Sequence, residues 1–112
     1  MARPKKTAEG NKRDRIRSNL LKSLDKKLII GQVYLDLIED YMAMWDIKNG
    51  LIADIQERGV SVFWQNSETQ QGYKKNDSIA ELNKTNAQML KILNELGLKA
   101  EPQQRTDPDD EL

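Results

Sequence analysis

The segment from Ser78 to Leu98, SIAELNKTNAQMLKILNELGL, restricts the fold more than any other part of the sequence. Its seam positions recur at alternating intervals of three and four residues, the a/d pattern of a helix that packs along one face. These positions are Ile79, Leu82, Asn86, Met89, Leu93 and Leu96. Asn86 is the one polar member. A buried asparagine at an a position lowers stability but disfavours mispaired assemblies. We interpret Asn86 either as a determinant of register or as the edge of a short seam.

Both ends of this segment carry helix-terminating signals. Asp77 or Ser78 is expected to cap the start, and Ser78 with Glu81 matches a capping box. Gly97 suits a left-handed residue after the last turn, with Leu98 folding back onto Leu93. The segment is therefore predicted to be one complete helix.

Two further helices are predicted upstream. From Arg13 onward, a first helix has an apolar stripe at every fourth residue, and Gly31 is expected to stop it. The stripe consists of Ile16, Leu20, Leu24 and Leu28. The run from Val33 to Arg58 is the longest periodic stretch. Asn49-Gly50 interrupts it, but the apolar phase continues across the pair, which favours one helix over two.

Between the second and third helices the residue types change. VSVFW, from Val60 to Trp64, is typical of a short strand, and YKK after a polar turn is placed to pair with it. A lone two-stranded hairpin is marginal in water, so it must pack on helices or on a neighbouring subunit. We therefore predict an all-α fold of antiparallel helices, with a short β-hairpin or loop before the C-terminal helix.

The charge distribution divides the chain further, although its formal net charge is zero. Residues 1–27 carry ten basic and three acidic side chains, whereas residues 28–72 carry two basic and seven acidic ones. We predict a disordered basic arm over residues 1–12, a helical domain over 13–99 and a disordered acidic tail over 100–112. The asymmetry points to a polyanionic partner, and a solubilising arm is the equally weighted alternative. The candidate DNA-binding residues are Arg3, Lys5, Lys6, Lys12, Arg13, Arg15, Arg17, Lys22, Lys26 and Lys27.

Catalytic chemistry is not indicated. The chain has no cysteine and no histidine, and it contains no nucleophile elbow, phosphate-binding loop or dinucleotide fingerprint. Asp36, Glu39 and Asp40 would suit a hard cation, but acids on the polar face of a helix are usually solvated. We expect no enzyme activity, no cofactor and no metal. The absence of an apolar run near 20 residues argues against a membrane role and favours a cytoplasmic location.

Only 38% of residues are hydrophobic, so a chain of this size is expected to complete its core by self-association. Tyr34, Tyr41 and Trp45 share the apolar stripe of the second helix, which favours packing over stacking on nucleic-acid bases. For Trp64, which is next to a polar turn, stacking on bases remains an alternative. The predicted oligomerisation residues are Tyr41, Trp45, Ile79, Leu82, Asn86, Met89, Leu93 and Leu96.

Two segments carry a family resemblance: YLDLIEDYMAMWDIKNGLIADIQERGV and YKKNDSIAELNKTNAQMLKILNELGLK. From Val33 to Lys99 the chain resembles the P27 family of phage terminase small subunits. The second segment is similar to the family's C-terminal helix, which is led by an asparagine-containing cap and closed by Leu-Gly-Leu. Many members place proline directly after the cap asparagine, whereas here Asn76 is followed by Asp77. This departure changes the chemistry of the cap but not the start of the helix.

The resemblance implies an all-α, ring-forming protein without catalytic residues. Such a protein would bind double-stranded viral DNA at the packaging site in the host cytoplasm and bring it to the terminase large subunit, which holds the ATPase and nuclease. The central helices and the hairpin would build the ring, the basic residues would contact DNA, and one tail would contact the large subunit. The alternative is a helical interaction or adaptor protein without nucleic-acid binding, which retention on DNA or heparin would distinguish.

Overall fold

The structure is a computed structural model that describes residues 8–98 of the chain. Helices α1 (Ala8–Lys26) and α2 (Gln32–Arg58) are followed by strands β1 (Ser61–Gln65) and β2 (Gln71–Lys75) and by helix α3 (Asp77–Glu95). The mostly helical fold with a hairpin before the last helix is confirmed. The predictions for residues 1–7 and for the acidic tail lie outside the described residues.

Helix α1 begins at Ala8, earlier than the predicted start at Arg13. Ala, Glu and Lys are good helix formers, and they outweigh Gly10 in the first turns. Helix α2 runs without a break through Asn49-Gly50, as predicted. The Asn49 side chain donates a hydrogen bond to the Trp45 carbonyl one turn earlier, at 3.0 Å, which keeps its polar group within the helix.

The end of α1 differs from the prediction. The helix stops at Lys26, and Leu28 adopts a left-handed conformation with φ of 59°. The Leu28 and Ile29 amides donate to the carbonyls of Asp25 and Leu24, each at 3.0 Å, as in a Schellman motif. Leu28 therefore leaves the apolar stripe and lies exposed. Gly31, predicted to stop α1, instead precedes the first residue of α2.

The end of α3 has the same geometry with the expected residue. Gly97 has φ of 71°, and the Leu98 amide donates to the Leu93 carbonyl at 2.8 Å. Glycine adopts this conformation without the steric cost of about 1–2 kcal/mol that a side chain adds. The predicted C-terminal cap of α3 is confirmed, and Leu98 is buried below it.

The core lies where the C-terminal end of α3 meets the first half of α2. Its buried residues are Leu24, Ile38, Met42, Leu96 and Leu98. Helix α3 therefore runs antiparallel to α2, and α1 closes the core with Leu24. The Lys27 ammonium donates to the Gly97 carbonyl at 2.6 Å, which joins the end of α1 to the end of α3. No helix within residues 8–98 is long and apolar enough to cross a bilayer.

The hairpin pairs β1 and β2 antiparallel, with Phe63 opposite Tyr73 and Trp64 opposite Gly72. Alternation along the strands puts Trp64 on the half-buried face, where its indole covers Gly72. A Cβ at Gly72 would lie 3.4 Å from the indole nitrogen. Phe63 and Tyr73 lie on the exposed face, with their ring centroids 5.5 Å apart in an edge-to-face pair.

Candidate nucleic-acid interface

The basic side chains of α1 separate into two sets on different faces of the helix. Arg13 and Arg17 face α2. The Arg13 guanidinium donates two hydrogen bonds to Asp46, at 2.9 and 3.1 Å, and Arg17 donates to Glu39 at 2.7 Å. The bonds to Asp46 raise the pKa of Arg13. Asp46 and Glu39, of which Glu39 was predicted to be solvated, are thus ion-paired across the α1–α2 interface.

The second set points away from α2 and is exposed: Lys12, Arg15, Lys22 and Lys26. We call these four residues the cationic stripe. Their spacing of three, seven and four residues keeps them within one face of a helix, and they extend over about 21 Å at 1.5 Å per residue. None of the four makes a side-chain hydrogen bond or ion pair to another described residue.

The remaining predicted DNA-binding residues are in other positions. Lys27 is bonded to the Gly97 carbonyl and holds the fold together. Arg3, Lys5 and Lys6 lie outside the described residues. Asp36 and Asp40 are exposed on α2 and make that side of the molecule negative. A polyanion would therefore be attracted to the outer face of α1 and repelled by the exposed face of α2.

A second polar cluster joins α2, the hairpin and α3. Asp54 accepts two hydrogen bonds from Arg58, both at 2.7 Å, and one from the Ser78 hydroxyl at 2.6 Å. The Asn76 amide adds a longer bond of 3.3 Å. These hydrogen bonds, those from Arg58 first, hold the pKa of Asp54 well below its ordinary value.

Asn76 is the centre of this cluster and is only 1% exposed. Its Oδ1 accepts from the Ser78 amide at 3.0 Å, which caps α3, and its Nδ2 donates to the Gly59 carbonyl at 2.9 Å. The predicted capping box of Ser78 and Glu81 is therefore wrong, because the Ser78 hydroxyl is bonded to Asp54. The structure instead has Asn76 as the N-cap of α3, in agreement with the asparagine cap that the family resemblance implies.

The residues predicted for oligomerisation are largely used within the chain. Met89 and Leu96 are buried, and Tyr41, Trp45 and Leu93 pack against the core. Ile79, Leu82 and Asn86 are half-buried along α3. The seam of α3 thus faces α2 of the same chain, and a role for these residues between subunits stays a prediction.

The predicted alternative of a cation site on α2 gains no support from the geometry. Within residues 8–98, no group of three or more acidic, histidine or cysteine side chains is arranged to hold a metal ion. Of the three acids in question, Glu39 is bonded to Arg17.

Comparison with known families identifies the chain. A family model described as phage terminase, small subunit, matches residues 15–111, so the chain belongs to this family. No curated protein and no solved structure matches it significantly. Family membership assigns the chain to phage DNA packaging. Terminase small subunits are generally non-catalytic regulatory partners of DNA and of the large subunit.

Proposed function

We propose that this small subunit binds double-stranded viral DNA through the cationic stripe, assembles into a ring and recruits or regulates the large ATPase and nuclease subunit. One observation carries the DNA-binding part of the proposal. Four exposed cations lie along one face of α1, free of the ion pairs that occupy Arg13 and Arg17. The same helix thus separates the charges that hold the fold from those available to phosphates.

Electrostatics gives this surface a measurable signature. Lysine and arginine side chains that neutralise phosphates release condensed counterions, so the logarithm of affinity falls with the logarithm of salt concentration by about 0.9 for each phosphate contact on duplex DNA. A helix is about 10–12 Å wide with its side chains, close to the 12 Å width of the major groove. Helix α1 therefore fits either in the groove or along the backbone.

Two side chains on this face have the groups for base recognition. Arg15 has the planar donors that pair with guanine, and Asn19, in the middle of the stripe and exposed, has the amide that pairs with adenine. Binding that depends on Asn19 for sequence preference, but not for overall affinity, would place α1 in the major groove.

A matched pair of variants tests the stripe. Lys22→Ala with Lys26→Ala removes two cations from the stripe, and Lys84→Ala with Lys91→Ala removes two exposed cations from α3. Both change the net charge equally. Fluorescence anisotropy with a DNA duplex should show weaker binding and a salt slope lower by about 1.8 for the first variant only. Equal losses in both would mean that net charge, not this surface, determines binding.

The contribution of the N-terminal arm needs a different experiment. Deleting residues 1–17 would also remove the Arg13–Asp46 and Arg17–Glu39 pairs and half of α1, so lost binding would have two explanations. Substituting Arg3, Lys5 and Lys6 by alanine keeps the helix intact. If neither these changes nor the stripe variant reduces retention on DNA, the adaptor function without nucleic-acid binding is favoured.

A further inference from the structure

Within residues 8–98, the exposed apolar side chains include two local groups. The first, the corner patch, is at the turn between α1 and α2: Leu28, Ile30 and Val33 are 85%, 84% and 71% exposed. The second, the hairpin patch, is the pair of Phe63 and Tyr73, which are 53% and 75% exposed. Exposed apolar side chains in groups of this kind mark interaction surfaces.

The corner patch borders a groove of about 400 Å³ between the end of α1 and the start of α2. Its apolar lining comes from Leu21, Leu24, Ile29, Ile30, Tyr34 and Leu35. Leu28, at the end of α1, has the same left-handed conformation as Gly97 at the end of α3, and its side chain points into solvent. The Schellman motif accounts for the backbone conformation, but no described residue covers the Leu28 side chain, and contact with another molecule would cover it.

The hairpin patch lacks cover on its own side of the sheet. The inner face of the hairpin holds Val62 and Trp64, which are half-buried, and the outer face holds Phe63 and Tyr73. Lys75 shares the outer face, opposite Ser61. A two-stranded sheet is marginally stable alone, so cover over this aromatic face would stabilise it.

The two patches lie at opposite ends of α2, whose 27 residues extend over about 40 Å. One chain cannot bring them together, but a second copy can. The charges beside them are complementary. Asp25 lines the groove and Asp36 lines its continuation, whereas Lys75 adjoins the aromatic pair. Lys22 on the groove rim and Arg17 in its continuation are the exceptions; Lys22 belongs to the cationic stripe, and Arg17 is ion-paired with Glu39.

We infer that the hairpin patch of one copy packs into the corner groove of the next. This contact is heterologous, because each copy contributes a different surface to its two neighbours, and such contacts close into rings when the rotation allows. The inference rests on the self-association that the proposed function requires, and it assigns the contact to surfaces outside the α3 seam.

Mixing of variants tests this contact. Ile30→Glu damages only the corner and Tyr73→Glu only the hairpin, and both side chains are exposed, so the fold is retained, as circular dichroism verifies. In mass photometry, each variant alone should need a concentration at least about thirty-fold higher than the wild type to assemble, as for other interface hot spots. An equimolar mixture should form dimers and stop there, since only one undamaged pair of surfaces exists per two chains.

Leu90→Glu, at another exposed leucine on α3, is the control and should assemble like the wild type. Dimers in the mixture with monomers in each variant alone would support the inference. Variants that assemble like a multimeric wild type would overturn the contact while leaving the proposed function intact. A wild-type protein that is monomeric at micromolar concentration would overturn the oligomeric part of the proposed function itself.

Discussion

Replacing Asn76 by alanine removes the residue that joins three elements, and its effect can be worked out from the contacts. Loss of the cap on α3 costs about 1 kcal/mol. Loss of the Nδ2 bond leaves the Gly59 carbonyl without this donor, at a cost of about 1–2 kcal/mol. The free energy of unfolding should fall by about 2–3 kcal/mol. Urea denaturation followed by circular dichroism at fixed protein concentration measures it, with an unchanged slope against denaturant.

Two further variants separate the contributions. Asn76→Ser keeps a cap oxygen but loses the amide donor, so about half of the destabilisation should remain. Asn83→Ala changes an exposed asparagine within α3 and should be neutral or slightly stabilising, because alanine favours helices. If Asn76→Ala were no more destabilising than Asn83→Ala, the buried polar cluster would not be what fixes α3 to α2.

Three other predictions follow from the described contacts. The pKa of Asp54 is depressed in the folded state, so the stability that this carboxylate contributes is present above its unfolded pKa of about 3.9 and is lost as pH falls below that value. Asp54→Asn should therefore weaken the dependence of the urea midpoint on acid pH. An unchanged dependence would refute the role given to Asp54. Leu28→Gly should raise the free energy of unfolding of the monomer by up to about 1 kcal/mol while weakening assembly, as denaturation and mass photometry would show. Asn86→Leu should raise the melting temperature; if Asn86 also sets the register between subunits, the distribution of oligomer sizes should broaden, whereas a single unchanged size would argue against that role.

Local patterns in the sequence predict most of the secondary structure. The periodicity of α2 continues through Asn49-Gly50, and buried or half-buried apolar side chains on both sides of the pair keep the helix intact. Gly97 predicts the end of α3 because its conformation depends on neighbours within the same turn. The end of α1 was missed because a leucine adopts the conformation that normally indicates glycine, and no local signal distinguishes Leu28 from the apolar residues before it.

The candidate site was harder to predict because its charges are sorted by tertiary contacts. Arg13 and Arg17 resemble Arg15 in the sequence, and only the packing of α1 on α2 directs them to Asp46 and Glu39. The Asp54 cluster joins residues more than 20 positions apart, so the sequence around Ser78 indicated a capping box instead. Asparagine before a helix was the available signal for Asn76, since it is among the preferred capping residues.

The salt dependence of DNA binding by a variant without the cationic stripe tests the proposed function most directly. Lys12, Arg15, Lys22 and Lys26 are replaced by alanine, and affinity for a DNA duplex is measured by anisotropy at several salt concentrations, with circular dichroism as the check on folding. If all four residues contact phosphates, the slope should fall by about 3.6 relative to the wild type. A folded variant with the wild-type slope and affinity would contradict DNA binding through α1.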